Sequence, residues 1–228
     1  ILFFTINKVP QEWAKYHRDV LLEAAGDYPI ISVSRKPVDI GTNLIDEGQK
    51  HISNLYTQLL QACKVATTPH IAMCEDDTLY TKSHFDSFRP PLDTFAYNIA
   101  RWSIYTWGEP IYSWRGSQVG AAVIAPREKM IEQLEHRFAK FAVNGVIPKE
   151  LCGEIGLRRF EKQIGANINK WVDFYSEDPI IQVNHDYFSV DNNSPEDVEK
   201  RHRKRMGRIR AFEIPYWGKG SDLVKKFI

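Results

Sequence analysis

The chemistry-bearing residues of this chain gather where the apolar run His70-Ile-Ala-Met-Cys74 stops at three consecutive carboxylates, Glu75-Asp76-Asp77. Adjacent like charges repel, so an acidic triplet at the mouth of a buried strand calls for a cation, and hard carboxylate oxygens suit a divalent metal. A solvated acidic turn after a strand is the alternative that the triplet alone leaves open. The second charged stretch runs from Lys200 to Arg210, with seven Lys or Arg and no acid. Such a cluster attracts phosphates, of a nucleic acid or of a nucleoside diphosphate. A solvated basic helix face, balanced by Glu196, Asp197 and Glu199 and opened by a Ser194-Pro195 cap, is its alternative. Near the C-terminus, Lys219 lies between two glycines in Pro215-Tyr-Trp-Gly-Lys-Gly-Ser221, a pattern expected of a mobile loop that closes on a diphosphate.

The elements that position these groups follow from hydrophobic periodicity. Residues 1–7, 29–34 and 70–74 read as strands, and 11–26 and 47–64 as helices; Ile52, Leu55, Tyr56, Leu59, Leu60 and Cys63 recur at helical spacing in the latter. Alternating strands and helices predict a mostly parallel sheet flanked by helices, with ligands beyond the carboxyl ends of the strands. Thr5, Asn7, Ser34, Arg35 and the acidic triplet would meet there. Further strands are expected over 95–107, 112–125 and 180–190, and helices over 127–141 and 150–164. No repeat or low-complexity linker divides the chain, so residues 1–228 are expected to form one α/β domain with a basic C-terminal segment from about 194.

Composition agrees with a compact enzyme: 228 residues, 43% hydrophobic and 26% charged, with a net charge of +1. Cys63, Cys74 and Cys152 are odd in number and widely spaced, which fits free thiols in a reducing compartment and neither a zinc site nor a disulfide framework. No apolar run approaches the roughly 18–20 residues of a membrane span, and no basic leader opens the chain, so a soluble protein of the cytoplasm is expected, that of a host cell if the protein is viral.

In order and type, the Asn54-bearing helix followed by a strand ending in Glu75-Asp76-Asp77 resembles the nucleotide-sugar-binding half of GT-A fold (family 2-like) glycosyltransferases. Their Asp-any-Asp motif stands here with Glu in first place. The resemblance implies a Rossmann-like GT-A domain. It implies that Thr5, Asn7, Ser34, Arg35, Asn54, Glu75, Asp76 and Lys219 bind the donor, and that Asp77 and His185 hold Mn2+ or Mg2+. His185 matches the C-terminal histidine of metal-dependent members, and an imidazole ligand favours manganese. Gly116-Ser-Gln-Val-Gly120 is similar to the glycine-containing strand that shapes the sugar pocket. Cys152-Gly153-Glu154-Ile-Gly-Leu157 resembles the Glu-Asp-any-any-Leu motif of inverting members, with Gly153 in place of the first acid and Glu154 in place of the general base. An ordinary acid at a helix N-terminus is the rival reading of Glu154.

The resemblance implies inverting transfer of a sugar from a nucleoside diphosphate, UDP being one candidate, to an acceptor hydroxyl. A phage-type transferase acting on hydroxymethylated pyrimidine in DNA would account for the basic run, with Trp114, Arg203, Arg205 and Arg208 on the acceptor side. A saccharide acceptor is the alternative. A nucleotidyltransferase would share the sheet and acids but is expected to carry a glycine-rich loop after its first strand, which Asn7-Lys8-Val9-Pro10 is not. A noncatalytic nucleic-acid-binding domain would explain the basic run and leave the acidic triplet unexplained.

Overall fold

The computed structural model describes residues 1–48, 51, 53–185, 200 and 206–228. A seven-stranded sheet forms its centre, in the order β10 (Lys170–Phe174), β6 (Thr94–Asn98), β9 (Val123–Pro126), β4 (His70–Glu75), β1 (Leu2–Thr5), β2 (Ile31–Ser34), β3 (Thr42–Ile45). β3, β2, β1 and β4 run parallel, and β9 is antiparallel to both β4 and β6. The sheet is therefore mostly parallel, as the alternating pattern predicts.

Strand alternation divides the core. Leu2, Phe4 and Met73 face α2 (Asn54–Val65) and α4 (Arg127–Phe141), where Leu59, Met130 and Leu134 complete one cluster. Phe3 and Cys74 face the other side, with Leu21 and Ala24 of α1 (Gln11–Ala25) and Phe85 of α3 (Lys82–Asp86). Helix α1 buries Trp13, His17, Leu21 and Ala24 at helical spacing and stops at Gly26, whose φ of 52° admits the turn that sends its N–H to the Leu22 carbonyl.

A second sheet packs beside the first, in the order β12 (Arg210–Ala211), β8 (Tyr112–Trp114), β7 (Arg101–Tyr105), β11 (Ile180–Asn184), β5 (Thr78–Leu79). Its apolar face (Leu79, Ile104, Tyr112, Ile181, Val183) packs with Trp13 and with Leu223 and Phe227, at and beyond α6 (Gly220–Val224). Among the described residues, no helix is long and apolar enough to cross a membrane.

Several expected elements differ. The strand 95–107 is two, β6 and β7, in different sheets; Asn98 turns the chain between them by accepting the Ala100 N–H at 2.9 Å and donating to Ser176. The strand 112–125 is likewise broken, into β8 and β9, by an irregular stretch over 115–119 and a 3-10 turn at Gly120–Ala122. The helix expected over 47–64 is described from Asn54, and Asp46 accepts the Gly48 N–H and the Asn54 side chain ahead of it; 49, 50 and 52 lie outside the described residues. β3 is a short, partly exposed edge strand and β10 a largely exposed one, so neither carries the apolar run that marks a buried strand. Of the late strand 180–190, Ile180–Asn184 is β11 and 186–190 lie outside the described residues.

The segment 215–221 is no free loop. β13 (Glu213–Ile214) pairs with β14 (Gly218–Lys219), α6 follows at once, and the Trp217 indole N–H donates to the Pro179 carbonyl at 2.6 Å.

Candidate active site

The acidic turn is held from behind by α1. The Trp13 indole N–H donates to the Asp76 carbonyl at 2.8 Å, and His17 Nε2 lies 2.8 Å from the Thr78 carbonyl and 3.1 Å from that of Glu75. One turn of helix thus clamps three carbonyls of the turn, which fixes where the carboxylates point. Burial carries the His17 ring down to about 4, so it is neutral and donates. Trp13→Phe leaves the Asp76 carbonyl without its donor in a fully packed position. Stability is expected to fall by about 1–3 kcal/mol, read as a lower urea midpoint; an unchanged midpoint would show that the clamp does not depend on this bond.

Around the turn the side chains diverge. Asp76 receives the Thr5 hydroxyl and lines a crevice of about 870 Å³ between the ends of β1 and β2 and helix α1. Thr5, Asn7, Lys15, Arg18 and Lys36 border the same crevice. Glu75 turns to the other side, where it lines a small pocket with Glu154, Tyr56, Tyr97 and Gly120. Asp77 accepts the Thr78 hydroxyl at 2.8 Å and is bonded to Gln182.

All four carboxyls are carried upward, first by burial. Glu75 is raised well above the usual carboxylate range, with the charges of Asp77, Glu154 and Asp76 adding to burial. Asp76 reaches about 7, against the opposing effect of the Thr5 hydroxyl. Asp77 reaches about 6 against Thr78, Gln182 and Arg101, and Glu154 about 7 against the Gly120 N–H, Arg101 and Arg137. A cluster of buried, raised acids beside a crevice is the arrangement expected where function demands it.

Two buried arginines, neither singled out from the sequence, organise this cluster. Arg101, 2% exposed at the start of β7, donates to Gln182 Oε1 at 2.6 Å and to Ser117 Oγ at 3.1 Å, and its charge acts on Glu154, Asp77 and Glu75. Arg137, fully buried on α4, donates to the Gly153 carbonyl at 3.0 Å, and its guanidinium lies over the rings of Tyr56 and Phe160. Tyr56 donates to the same carbonyl at 2.6 Å. Arginine read as one residue of an amphipathic helix or strand gives no signal of either role.

Glu154 does not open a helix. Its loop follows a short 3-10 turn, and α5 (Arg158–Ile164) starts four residues later, so the expected helix over 150–164 is corrected and the helix-dipole account of Glu154 does not apply. Gly153 has a steric reason: a Cβ there would lie 2.3 Å from the Phe160 ring. Gly120 likewise allows Glu154 close approach, a Cβ at that position lying 3.0 Å from Glu154 Oε2.

Other expected donor residues serve the scaffold. Asn7, at φ 56°, accepts the backbone N–H groups of Arg35 and Lys36 at 2.9 and 2.8 Å and joins the ends of β1 and β2, while still lining the crevice. Ser34 is fully buried and donates to the Lys36 carbonyl. Arg35 and Asn54 both turn to Asp46, at 3.1 and 2.8 Å, and Gln58 joins them at 2.6 Å. Lys219 is exposed on β14, opposite Glu213, and is not among the residues lining the crevice.

His185 stands just past β11, two residues beyond Val183, whose N–H donates to the Asp77 carbonyl at 2.8 Å. Its ring packs on Phe227, with centroids 4.8 Å apart. Among the described residues no three His, Cys, Asp or Glu side chains are arranged to cage a metal. One or two carboxylates completed by substrate phosphates is the ordinary way magnesium is held, and Asp77 with Asp76 fits that mode.

On the acceptor side, the Trp114 indole N–H is taken by the Ile99 carbonyl at 3.1 Å and its ring covers Gly116, which makes it a strand staple. Arg208 is exposed beside β12; Arg203 and Arg205 lie outside the described residues.

No protein-family model matches the chain, and no curated protein matches it. Among solved structures, the chain is similar to HddC from Yersinia pseudotuberculosis at 11% identity and a TM-score of 0.45, over 89% of this chain and 97% of that one. A likeness of that degree carries no argument about what this chain does.

Proposed function

We propose that the protein is a metal-dependent, inverting glycosyltransferase of the GT-A type, moving a sugar from a nucleoside diphosphate to the hydroxymethyl group of a modified pyrimidine in DNA. One observation carries this reading: Glu154, from a distant loop, comes into the same small pocket as Glu75, within electrostatic reach of Glu75 and Arg101, at the carboxyl end of β4. Ligands of open parallel sheets bind at that end. The 870 Å³ crevice beside it is large enough for a nucleotide, and Lys15, Arg18 and Lys36 on its border suit a diphosphate.

Within this reading Asp76 and Thr5 meet the nucleoside, and Glu154, raised to about 7, takes the proton of the acceptor hydroxyl as it attacks the anomeric carbon. Asp77, with Asp76 on the crevice side, would hold Mn2+ or Mg2+, which when bound supplies positive charge for the departing diphosphate. Arg101 holds Gln182 and, through it, Asp77 in place.

The test is a thermal-shift screen of UDP-, GDP- and CMP-sugars with and without Mn2+. A ligand of the native state raises its melting temperature. One nucleotide sugar is expected to give a cation-dependent rise in the wild type and none in Asp77→Ala. No rise with any donor would overturn the reading.

A further inference from the structure

From Gly153 to Gly156 the backbone is taken up, group after group, by side chains that come from four different elements. Tyr56 of α2 donates to the Gly153 carbonyl at 2.6 Å and accepts the Gly153 N–H. Arg137 of α4 donates to the Gly153 carbonyl at 3.0 Å and to that of Glu154 at 3.4 Å. Tyr97 of β6 donates to the Ile155 carbonyl. Glu161 of α5 accepts the Gly156 N–H at 2.8 Å, and its oxygens also take the Asn169 N–H at 2.9 Å and the Asn169 side chain at 2.7 Å, which fastens the loop to the residue ahead of β10. All four side chains are buried, Arg137 and Glu161 completely.

These means exceed what a loop needs. Loop backbone is ordinarily satisfied by water or by its own turns. Here a guanidinium and a carboxylate are both buried, and neither forms an ion pair among the described residues. Arg137 gives its hydrogen bonds to carbonyls and to the Tyr56 hydroxyl at one end of the loop, and Glu161 accepts N–H groups at the other. Burying two charged groups on neutral partners is costly, so the fold alone gives no reason for it. The stretch they frame has one polar side chain. Ile155 belongs to the core and both ends are glycine, which leaves Glu154, whose carboxyl accepts the Gly120 N–H and lines the pocket of about 80 Å³ with Glu75. At Gly156, φ is 91° and a Cβ would lie 2.8 Å from the Phe95 ring, so the loop closes tightly on β6 directly after Glu154.

We infer that Tyr56, Tyr97, Arg137 and Glu161 are positioning residues: by fixing the backbone on both sides of Glu154 they aim its carboxyl at the acceptor hydroxyl. This rests on the transferase reading for the step Glu154 performs, and on the hydrogen bonds for the fixing. A base acts efficiently only while it is held close to its productive geometry, and a group is held that closely when the residues around it are themselves locked by packing.

The test compares the wild type with Tyr97→Phe, Tyr56→Phe and Ile30→Ala in sugar transfer to a hydroxymethylated oligonucleotide and in amide hydrogen exchange. The phenylalanines keep the packed rings and remove only the hydroxyl. Ile30, buried just ahead of β2 at the end of the sheet away from the acids, reports what lost stability does by itself. Both tyrosine variants are expected to lower kcat by about ten- to a hundred-fold, the effect of a small displacement of a reacting group, with the donor's KM and thermal shift unchanged. Ile30→Ala should melt earlier and keep its kcat. The Gly120 amide reports the same displacement without any substrate: it belongs to a separate turn and donates to Glu154, so its exchange should quicken in the tyrosine variants relative to amides of β1, and not in Ile30→Ala. Turnover close to wild type in both tyrosine variants, or an equal fall in Ile30→Ala, would overturn the positioning role and leave the transferase reading standing. If the wild type transfers no sugar from any donor, the transferase reading falls, and the Gly120 amide then decides whether the four residues hold Glu154; exchange no faster than in Ile30→Ala would overturn that as well.

Discussion

Glu154→Gln is expected to lower turnover by about 10²- to 10⁴-fold, the range a positioned general base supplies, while leaving donor affinity within a few-fold of wild type. The amide keeps an oxygen for the Gly120 N–H that the carboxylate accepts, and it keeps the volume that Gly120 makes room for. What it loses is the capacity to take a proton. The wild-type rate at saturating donor should therefore climb with pH through about 7, as Glu154 ionises, and the variant's residual rate should lack that limb. The rate to measure is sugar transfer to a hydroxymethylated oligonucleotide. A variant that retains most of the turnover, or the same pH limb, would remove Glu154 from the chemistry and leave it as a buried acid of the loop.

Asp77→Asn should do two opposite things: abolish cation-dependent turnover and raise the stability of the protein in chelator at pH 8. The sign follows from linkage. Burial lifts Asp77 from 3.8 to about 6, so the folded protein holds this proton more tightly than the unfolded chain. As pH rises from about 4 to 6 the unfolded state gives up the proton first, and stability is lost through that window, with the full deficit present above it. Removing the charge recovers on the order of 2–3 kcal/mol at pH 8. The gain should shrink as pH falls toward 4. Asp76 and Glu154, both raised to about 7, act in the same direction and extend the loss to neutral pH. His17, lowered to about 4, acts in the other: it gains stability as pH rises from 4 to 6.5 and offsets part of the acids' effect. Urea unfolding at pH 8 and pH 4.5 decides the point. A variant no more stable at pH 8, or one whose advantage is the same at both values, would mean that Asp77 does not sit under electrostatic strain.

That strain makes chemical sense of the site. Glu75, Asp77 and Glu154 gather around one fully packed guanidinium, and the turn that presents Glu75 and Asp77 is locked by Trp13 and His17. A protein selected for stability alone would not keep this much uncompensated negative charge in place, whereas one that binds a cation with a diphosphate recovers the deficit on binding.

How much of this is legible in the sequence depends on the range of the interactions involved. The acidic triplet at the end of an apolar run marks the site because both signals are local in sequence, and the helical spacing of Trp13, Leu21, Met130 and Leu134 marks the layers. One boundary that differs is set by a single side chain, Asn98 between β6 and β7. Asn7, Ser34 and Arg35 do stand at strand ends, yet their polar atoms close turns and ion pairs there, because a strand end must also satisfy its own backbone groups.

The sequence by itself determined the class of the fold, the strand that carries the acids and Glu154 as a candidate base, since alternation, apolar runs and motif order are properties of the chain. Only the tertiary structure decided that Glu75 and Asp76 face opposite sides of one turn, that Gly153 is glycine because of Phe160, and that Arg101 is buried on Gln182, itself bonded to Asp77. Each of these is set by which strands neighbour one another and which face each side chain takes. No local pattern encodes them.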